Sequence, residues 1–217
     1  MECHGQCQGV EVKFDRQYVA KKLDEYRRKG PKKTTLALIE ALSAQNISGS
    51  TLLDIGGGIG DIQHALLQSG ATSAVDVEAS TAYVEACKAE AERQGHGQRI
   101  HHIQGDFVAL AKDIAPVDIV TLDRVVCCYP DMTNLVSLSA NKANRLYGLV
   151  YPRDKWWVKV AMAIYYNLRF WLQRNPFRNF VHPNRTVETL IAEGGLQLRS
   201  ARAMGAWNVL VFSRPAG

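Results

Sequence analysis

The 217-residue sequence holds no run of about 18 apolar residues, so no segment of it reads as a membrane span. The opening stretch, Met1 to Gly9, is polar and lacks the apolar centre of a secretory signal. With neither feature, the expected location is the cytoplasm. Cysteine is scarce. There are five, an odd number, and Cys127 and Cys128 are adjacent, which argues against a disulfide framework and agrees with a reducing compartment. Cys3, His4 and Cys7 offer only three ligands where a structural zinc takes four, so no metal is expected. There is no Gly-Lys-Ser/Thr, which excludes a P-loop. The dinucleotide pattern G-x-G-x-x-G also fails: counted from Gly56 it meets Asp61, and counted from Gly58 it meets Gln63. That spacing disfavours a nicotinamide oxidoreductase. Internal repeats and low-complexity linkers are missing too, and the length suits one domain.

Acidic residues are present but unevenly placed. The net charge is +5, yet Lys13 to Lys33 holds nine basic and three acidic residues. Arg145 to Arg185 holds eight basic residues and a single acid, Asp154. Two basic segments suit an anionic acceptor, an acidic membrane surface or nucleic acid, or else they are solvated helix faces. Between them, short apolar runs alternate with helical patterns every 10 to 15 residues or so, the signature of a parallel sheet covered on both faces. Strands are predicted at Thr51–Ile55, Thr72–Val77, Arg99–Gln104, Val117–Leu122 and Arg145–Tyr151. Helices are predicted at Asp15–Lys29, Lys32–Gln45, Asp61–Gln68, Ser80–Gln94, Asp131–Asn141 and near Thr186–Ala192. Leu196–Met204 and Trp207–Ser213 then follow with little between them, which predicts an antiparallel hairpin at the end of the sheet. The expected fold is α/β: a doubly wound, mostly parallel, seven-stranded sheet with a C-terminal hairpin. An N-terminal helical lid over residues 1–47 precedes a main domain over 48–217, with a helical insertion at about 153–185.

The strongest local signal is Asp54-Ile55-Gly56-Gly57-Gly58-Ile59-Gly60, a D-x-G-x-G-x-G loop between a predicted strand and a predicted helix. Glycines there let the backbone approach a ligand, and the helix start offers free N–H groups. Acids recur at the ends of successive strands: Asp54, Asp76, Asp106 and Asp123. Those ends form the ligand crevice of an open α/β sheet. Motif and order resemble the class I S-adenosylmethionine-dependent methyltransferases, over roughly Thr51 to Ser213. The resemblance implies S-adenosylmethionine as cofactor, held by Gly56, Gly58 and Gly60 with Asp54 toward its cationic end. It puts the ribose hydroxyls on Asp76, the adenine beside Val77, Asp106 and Phe107, and the methionine portion near Asp123. Tyr18, in the N-terminal helices, is a further expected cofactor contact.

Methyl transfer is an in-line displacement that needs an aligned acceptor and a dry site. The segment Arg124 to Pro130 is similar to magnesium-protoporphyrin O-methyltransferases, which carry a His before Tyr-Pro; here Cys128 precedes Tyr129. Cys128 and Tyr129 are therefore catalytic candidates, and His182 is the general-base candidate by its chemistry. The stretch Asp154 to Leu172 carries Trp156, Trp157, Val160, Ile164, Leu168, Trp171 and Leu172 at helical spacing among Lys155, Lys159 and Arg169. It would line an apolar or anionic substrate, contact a membrane surface, or pack on the sheet. The leading expectation is a small-molecule methyltransferase. The alternatives are a methyltransferase of RNA or another macromolecule, and a non-catalytic cofactor-binding module; the lack of an Asn/Asp-Pro-Pro-Tyr motif counts against amine methylation of bases but not against every RNA substrate.

Overall fold

The computed structural model describes residues 4–215, with the side chains of 4–8 and 166 left undescribed. Cys3 lies outside the described residues, and the side chains of His4 and Cys7 lie outside them too. Seven strands run in the order β3-β2-β1-β4-β5-β7-β6. They are β1 (Thr51–Ile55), β2 (Ser73–Glu78), β3 (Ile100–Gln104), β4 (Val117–Asp123), β5 (Ala143–Pro152), β6 (Gln197–Met204) and β7 (Trp207–Ser213). The first five pair in parallel, while β7 inserts antiparallel between β5 and β6. The sheet order reverses between β1 and β4, and that switch point sets the position of the site.

Each central strand splits its side chains between two cores. Leu52 and Ile119 face one side, while Leu53, Val120 and Leu122 face the other. This is the two-residue period of a strand buried on both faces. The first core packs under α3 (Lys33–Ser43) and α4 (Asp61–Gln68); the second packs under α7 (Met132–Lys142) and α10 (Asn184–Glu193). The remaining helices are α1 (His4–Lys13), α2 (Arg16–Lys29), α5 (Thr81–Arg93), α6 (Phe107–Leu110), α8 (Trp156–Ala161) and α9 (Arg169–Leu172). A π-helical stretch, Met162–Leu168, joins α8 to α9 without a break. Edge strand β6 is exposed along almost its whole length.

Two features depart from the sequence reading. Residues His4–Lys13 form helix α1, where polarity alone gave no helical pattern. Its Gly9 packs so closely on the Phe177 backbone that a Cβ would collide with it, and Glu11 accepts from Thr81 N and Oγ1 at 3.0 and 2.7 Å. Tertiary contacts, not periodicity, fix this helix. The second departure is α3, expected as part of a lid. Leu38 and Leu42 are fully buried, and a Cβ on Gly148 of β5 would lie 2.9 Å from Leu38 Cδ1 and 3.2 Å from Leu42 Cδ1. So α3 packs into the core, while α1 and α2 border the site with Val10, Lys13, Tyr18 and Lys22. Gly148→Val is expected to lower stability by about 1–3 kcal/mol, because branched bulk there forces α3 off the sheet. Urea denaturation reads the loss, and an unchanged midpoint would contradict this packing.

Candidate functional site

A cavity of about 650 Å³ opens at the carboxyl ends of the strands beside the switch point. The glycine loop forms its floor. Gly56, Gly58 and Gly60 have φ of 65°, 61° and 84°, a left-handed geometry that strains any other residue. Gly57 is needed for a different reason: a Cβ there would overlap Gln63 and sit 2.5 Å from Asp76 Oδ1. The loop therefore lies flat on a buried polar layer. In that layer, Asp54 accepts from Thr121 Oγ1 at 2.6 Å and from Gln63 Nε2 at 3.1 Å. Burial, and then the nearby Asp76, hold the Asp54 carboxyl well above the usual range.

Asp76 is the main correction to the sequence reading. It is fully buried, lies off the cavity, and pairs with His102 Nδ1 at 2.9 Å. Its strand neighbour is Asp54, in direct register across β1 and β2, so both carboxylates sit beneath the loop. The acid that lines the cavity is Glu78, two residues further along the same strand face. Its Oε1 accepts from Ser80 N at 2.8 Å and its Oε2 from Gly58 N at 3.2 Å. Burial pushes the Glu78 carboxyl up to about 7, against the pull of those backbone donors. The Asp-Val-Glu spelling carried the signal, but the predicted strand stopped one residue too soon.

Gly60 also lies off the cavity. It caps α4, and a Cβ there would meet Cys87 Sγ at 2.8 Å. The other eight residues expected at the cofactor all line the cavity: Tyr18, Asp54, Gly56, Gly58, Val77, Asp106, Phe107 and Asp123. Asp106 caps α6 by accepting from Val108 N, and Tyr129 Oη donates to it, 2.8 and 2.9 Å from its two oxygens. Asp123 accepts from Thr35 Oγ1 at 2.5 Å and meets Arg124 Nε at 3.3 Å. Arg124 has φ of 63°, strained for a residue with a side chain, and its guanidinium donates to Thr34 and Thr35. Sequence reasoning passed over Arg124, Tyr83 and Phe14, which all border the cavity. Phe14 packs against Tyr18 and Tyr83 at centroid distances of 5.6 and 5.4 Å.

Cys128 and Tyr129 reach the cavity wall, but His182 does not. Its Nε2 donates to the Tyr129 carbonyl at 3.0 Å, and its ring stacks on Phe180. Burial lowers its pKa, so the ring holds the loop in its neutral form and no ring nitrogen meets the cavity. The Cys128 thiol donates to the Arg124 carbonyl at 3.3 Å. Hydrogen bonding to Cys128, then burial, holds the Cys127 thiol well above its ordinary pKa.

Residues 52–142 match a family described as methyltransferase domain. The segment is similar to that family, and the likeness to the class I S-adenosylmethionine-dependent enzymes stands. An O-methyltransferase family protein from Burkholderia thailandensis superposes with a TM-score of 0.73 at 15% identity, over 96% of this chain and 63% of that one. This chain thus spans less than two thirds of the Burkholderia protein. Magnesium protoporphyrin IX methyltransferase from Synechocystis PCC 6803, solved with bound SAH, gives a TM-score of 0.70 at 18% identity over 95% and 98% of the two chains. A Haloferax volcanii protein in complex with the Trm112 methyltransferase activator gives 0.70 at 14% identity over 96% and 98%. No curated protein sequence matches the chain.

Asp76→Ala is expected to cost about 2–4 kcal/mol of stability, by stripping His102 and leaving a hole under Gly57. Thermal unfolding measures it; a variant as stable as the parent would return Asp76 to the list of ligand contacts. Glu78 behaves differently. Its carboxyl binds a proton more tightly folded than unfolded, so its contribution to stability is full below about pH 4.5 and is lost as pH rises to about 7. Glu78→Gln should remove a pH-dependent loss of about 3 kcal/mol across that window.

Proposed function

We propose that the protein transfers the methyl group of S-adenosylmethionine to a small apolar acceptor bearing an anionic oxygen. One observation carries the reading: a single cavity joins the glycine loop to a chamber walled by aromatic and cationic side chains. The residues on the loop side fit the cofactor. Gly58 presents a bare face, since a Cβ there would meet nothing nearer than Tyr83 at 3.7 Å. The Glu78 carboxylate, level with that loop, suits a pair of ribose hydroxyls. Val77 and Phe107 give apolar surface for the adenine, and Asp106 keeps acceptor capacity for its amino group while bound by Tyr129. Among the described residues Asp123 Oδ1 makes no hydrogen bond, with Arg124 Nε 3.3 Å away as an ion-pair partner, and its carboxylate suits a cationic amino-acid end. When bound, the cofactor supplies the sulfonium methyl for in-line displacement.

The chamber favours an anion. Lys13 lies 4.5 Å over the Tyr18 ring and 5.3 Å over Phe170, and burial, then Arg169 and Lys22, lower its pKa. Burial is the larger cause, and the charges of Arg169 and Lys22 add to the positive field there. Met162, Phe170 and Phe177 add apolar wall and keep water out. The proton inventory supports an acceptor that arrives ionised. Tyr129 donates a hydrogen bond to Asp106, Cys128 donates to a carbonyl, and His182 faces backbone. An acceptor carboxylate is already ionised at neutral pH and asks nothing of them. The Synechocystis neighbour, named for an anionic porphyrin, agrees with an acceptor of this charge.

Calorimetry with S-adenosylhomocysteine tests the cofactor half. The intact protein should bind, and Glu78→Ala should bind about 10–100-fold more weakly. Affinity should rise from about pH 6 to about pH 8 as Glu78 ionises near 7, and Glu78→Gln should abolish the slope. Turnover against panels of aromatic carboxylates, phenols, amines and mixed RNA tests the acceptor half. Ester formation on carboxylates supports the proposal; turnover of RNA or amines alone would overturn it.

A further inference from the structure

Among the described residues, most of the large apolar side chains left exposed lie along one continuous helix, residues 156–172. Its inner row is Val158, Met162 and Phe170, all buried, and the last two line the cavity. Its packing needs are met by that row. An ordinary roof helix would turn polar residues outward. This one turns out Trp156 (77% exposed), Ile164 (61%), Trp171 (64%) and Leu172 (68%), with Trp157, Val160 and Leu168 exposed between them. The row runs the length of the helix and holds three of the four tryptophans in the chain. Exposed cations flank it: Lys155, Lys159, Arg169 and Arg174. The one acid from Arg145 to Arg185 is Asp154, paired with Lys159 at 2.6 Å.

We infer that this helix docks the protein on an anionic lipid bilayer, lying in the plane of the interface. Tryptophan prefers a boundary where one edge is apolar and the other wet. Basic side chains beside an apolar row complement acidic headgroups, and the segment holds no acid besides the Asp154 that pairs with Lys159. Tryptophan and arginine suit protein interfaces as well, but lysine is depleted there, and Lys155 and Lys159 favour the lipid surface. Among the described residues no helix is long and apolar enough to cross a membrane, so the contact is peripheral. The inner side of the same helix roofs the acceptor chamber. If the methyl-transfer proposal holds, an apolar acceptor dissolved in the bilayer lies one helix away from its site. Docking itself does not rest on that proposal, because binding to lipid is scored without turnover.

The test is sedimentation of the whole protein with vesicles. One set is equimolar phosphatidylcholine and phosphatidylglycerol, and the other is phosphatidylcholine alone. Binding to the anionic set, weakened by salt, with a blue shift of tryptophan emission, is the expected result. Replacing Trp156, Trp171 and Leu172 together by serine should reduce partitioning about tenfold or more. Quenching of the unaltered protein by brominated acyl chains gives a reading that needs no variant. Absent binding, equal binding to both sets, or binding that the serine variant keeps would each overturn the inference. So would self-association that hides these tryptophans while vesicles stay empty, which would assign the face to a second copy of the chain.

Discussion

The cavity depends on how two carboxylates are buried side by side under a turn. Asp54 and Asp76 stand opposite one another on neighbouring strands, away from water. Two like charges at such a place repel, and each loses its hydration. In this polar layer Thr121 and Gln63 bond both oxygens of one, while His102 bonds one oxygen of the other and leaves Asp76 Oδ1 without a hydrogen bond among the described residues. Gly57 rests directly on that layer, which fixes the height of the loop. The height in turn places Gly58 N against Glu78 and starts α4 at Asp61. Any larger residue at 57 would lift the loop and move all three.

Much of this architecture was legible in the residue pattern, and the reasons differ by element. Buried parallel strands announce themselves as short apolar runs, and β1 and β7 fall where their runs predict. The helices predicted to start at Ser80 and Asp131 are capped there, with Ser80 accepting from Tyr83 N at α5 and Asp131 from Asn134 N at α7. The glycine loop was visible because three of its glycines adopt a geometry that few other residues take. What stayed hidden was direction. Asp76 and Glu78 share a strand face, and only the end of β2 in three dimensions decides which of them reaches open space. His182 looked chemically apt, yet its partner is a backbone carbonyl, which no spacing rule records. Helix α1 has no amphipathic rhythm and is held by specific contacts to distant segments.

Strain and charge tie the helical layer to the sheet. Arg124 takes a left-handed backbone directly after β4, which turns its guanidinium back toward Thr34 and Thr35 at the head of α3. Asp123 closes the circuit through Thr35. A second tie lies further out, where the buried Glu90 of α5 is gripped by Arg27 of α2 and by Arg93. Arg93, with help from Gln94 and Arg27, holds the Glu90 carboxyl down at about 2. The overhanging helix is thus fastened at its outer end by ions and at its inner end by aromatic packing around Phe14.

Strand β6 closes the sheet on one side and leaves a row of backbone groups open to solvent. Arg199 and Arg202 stand on it, and Arg199 Nε reaches Ser213 Oγ at 2.6 Å. Charged residues on a margin of this kind repel a second sheet that tries to add on. The molecule therefore resists growing into ribbons through that side, even at concentrations where a bare apolar margin would seed them.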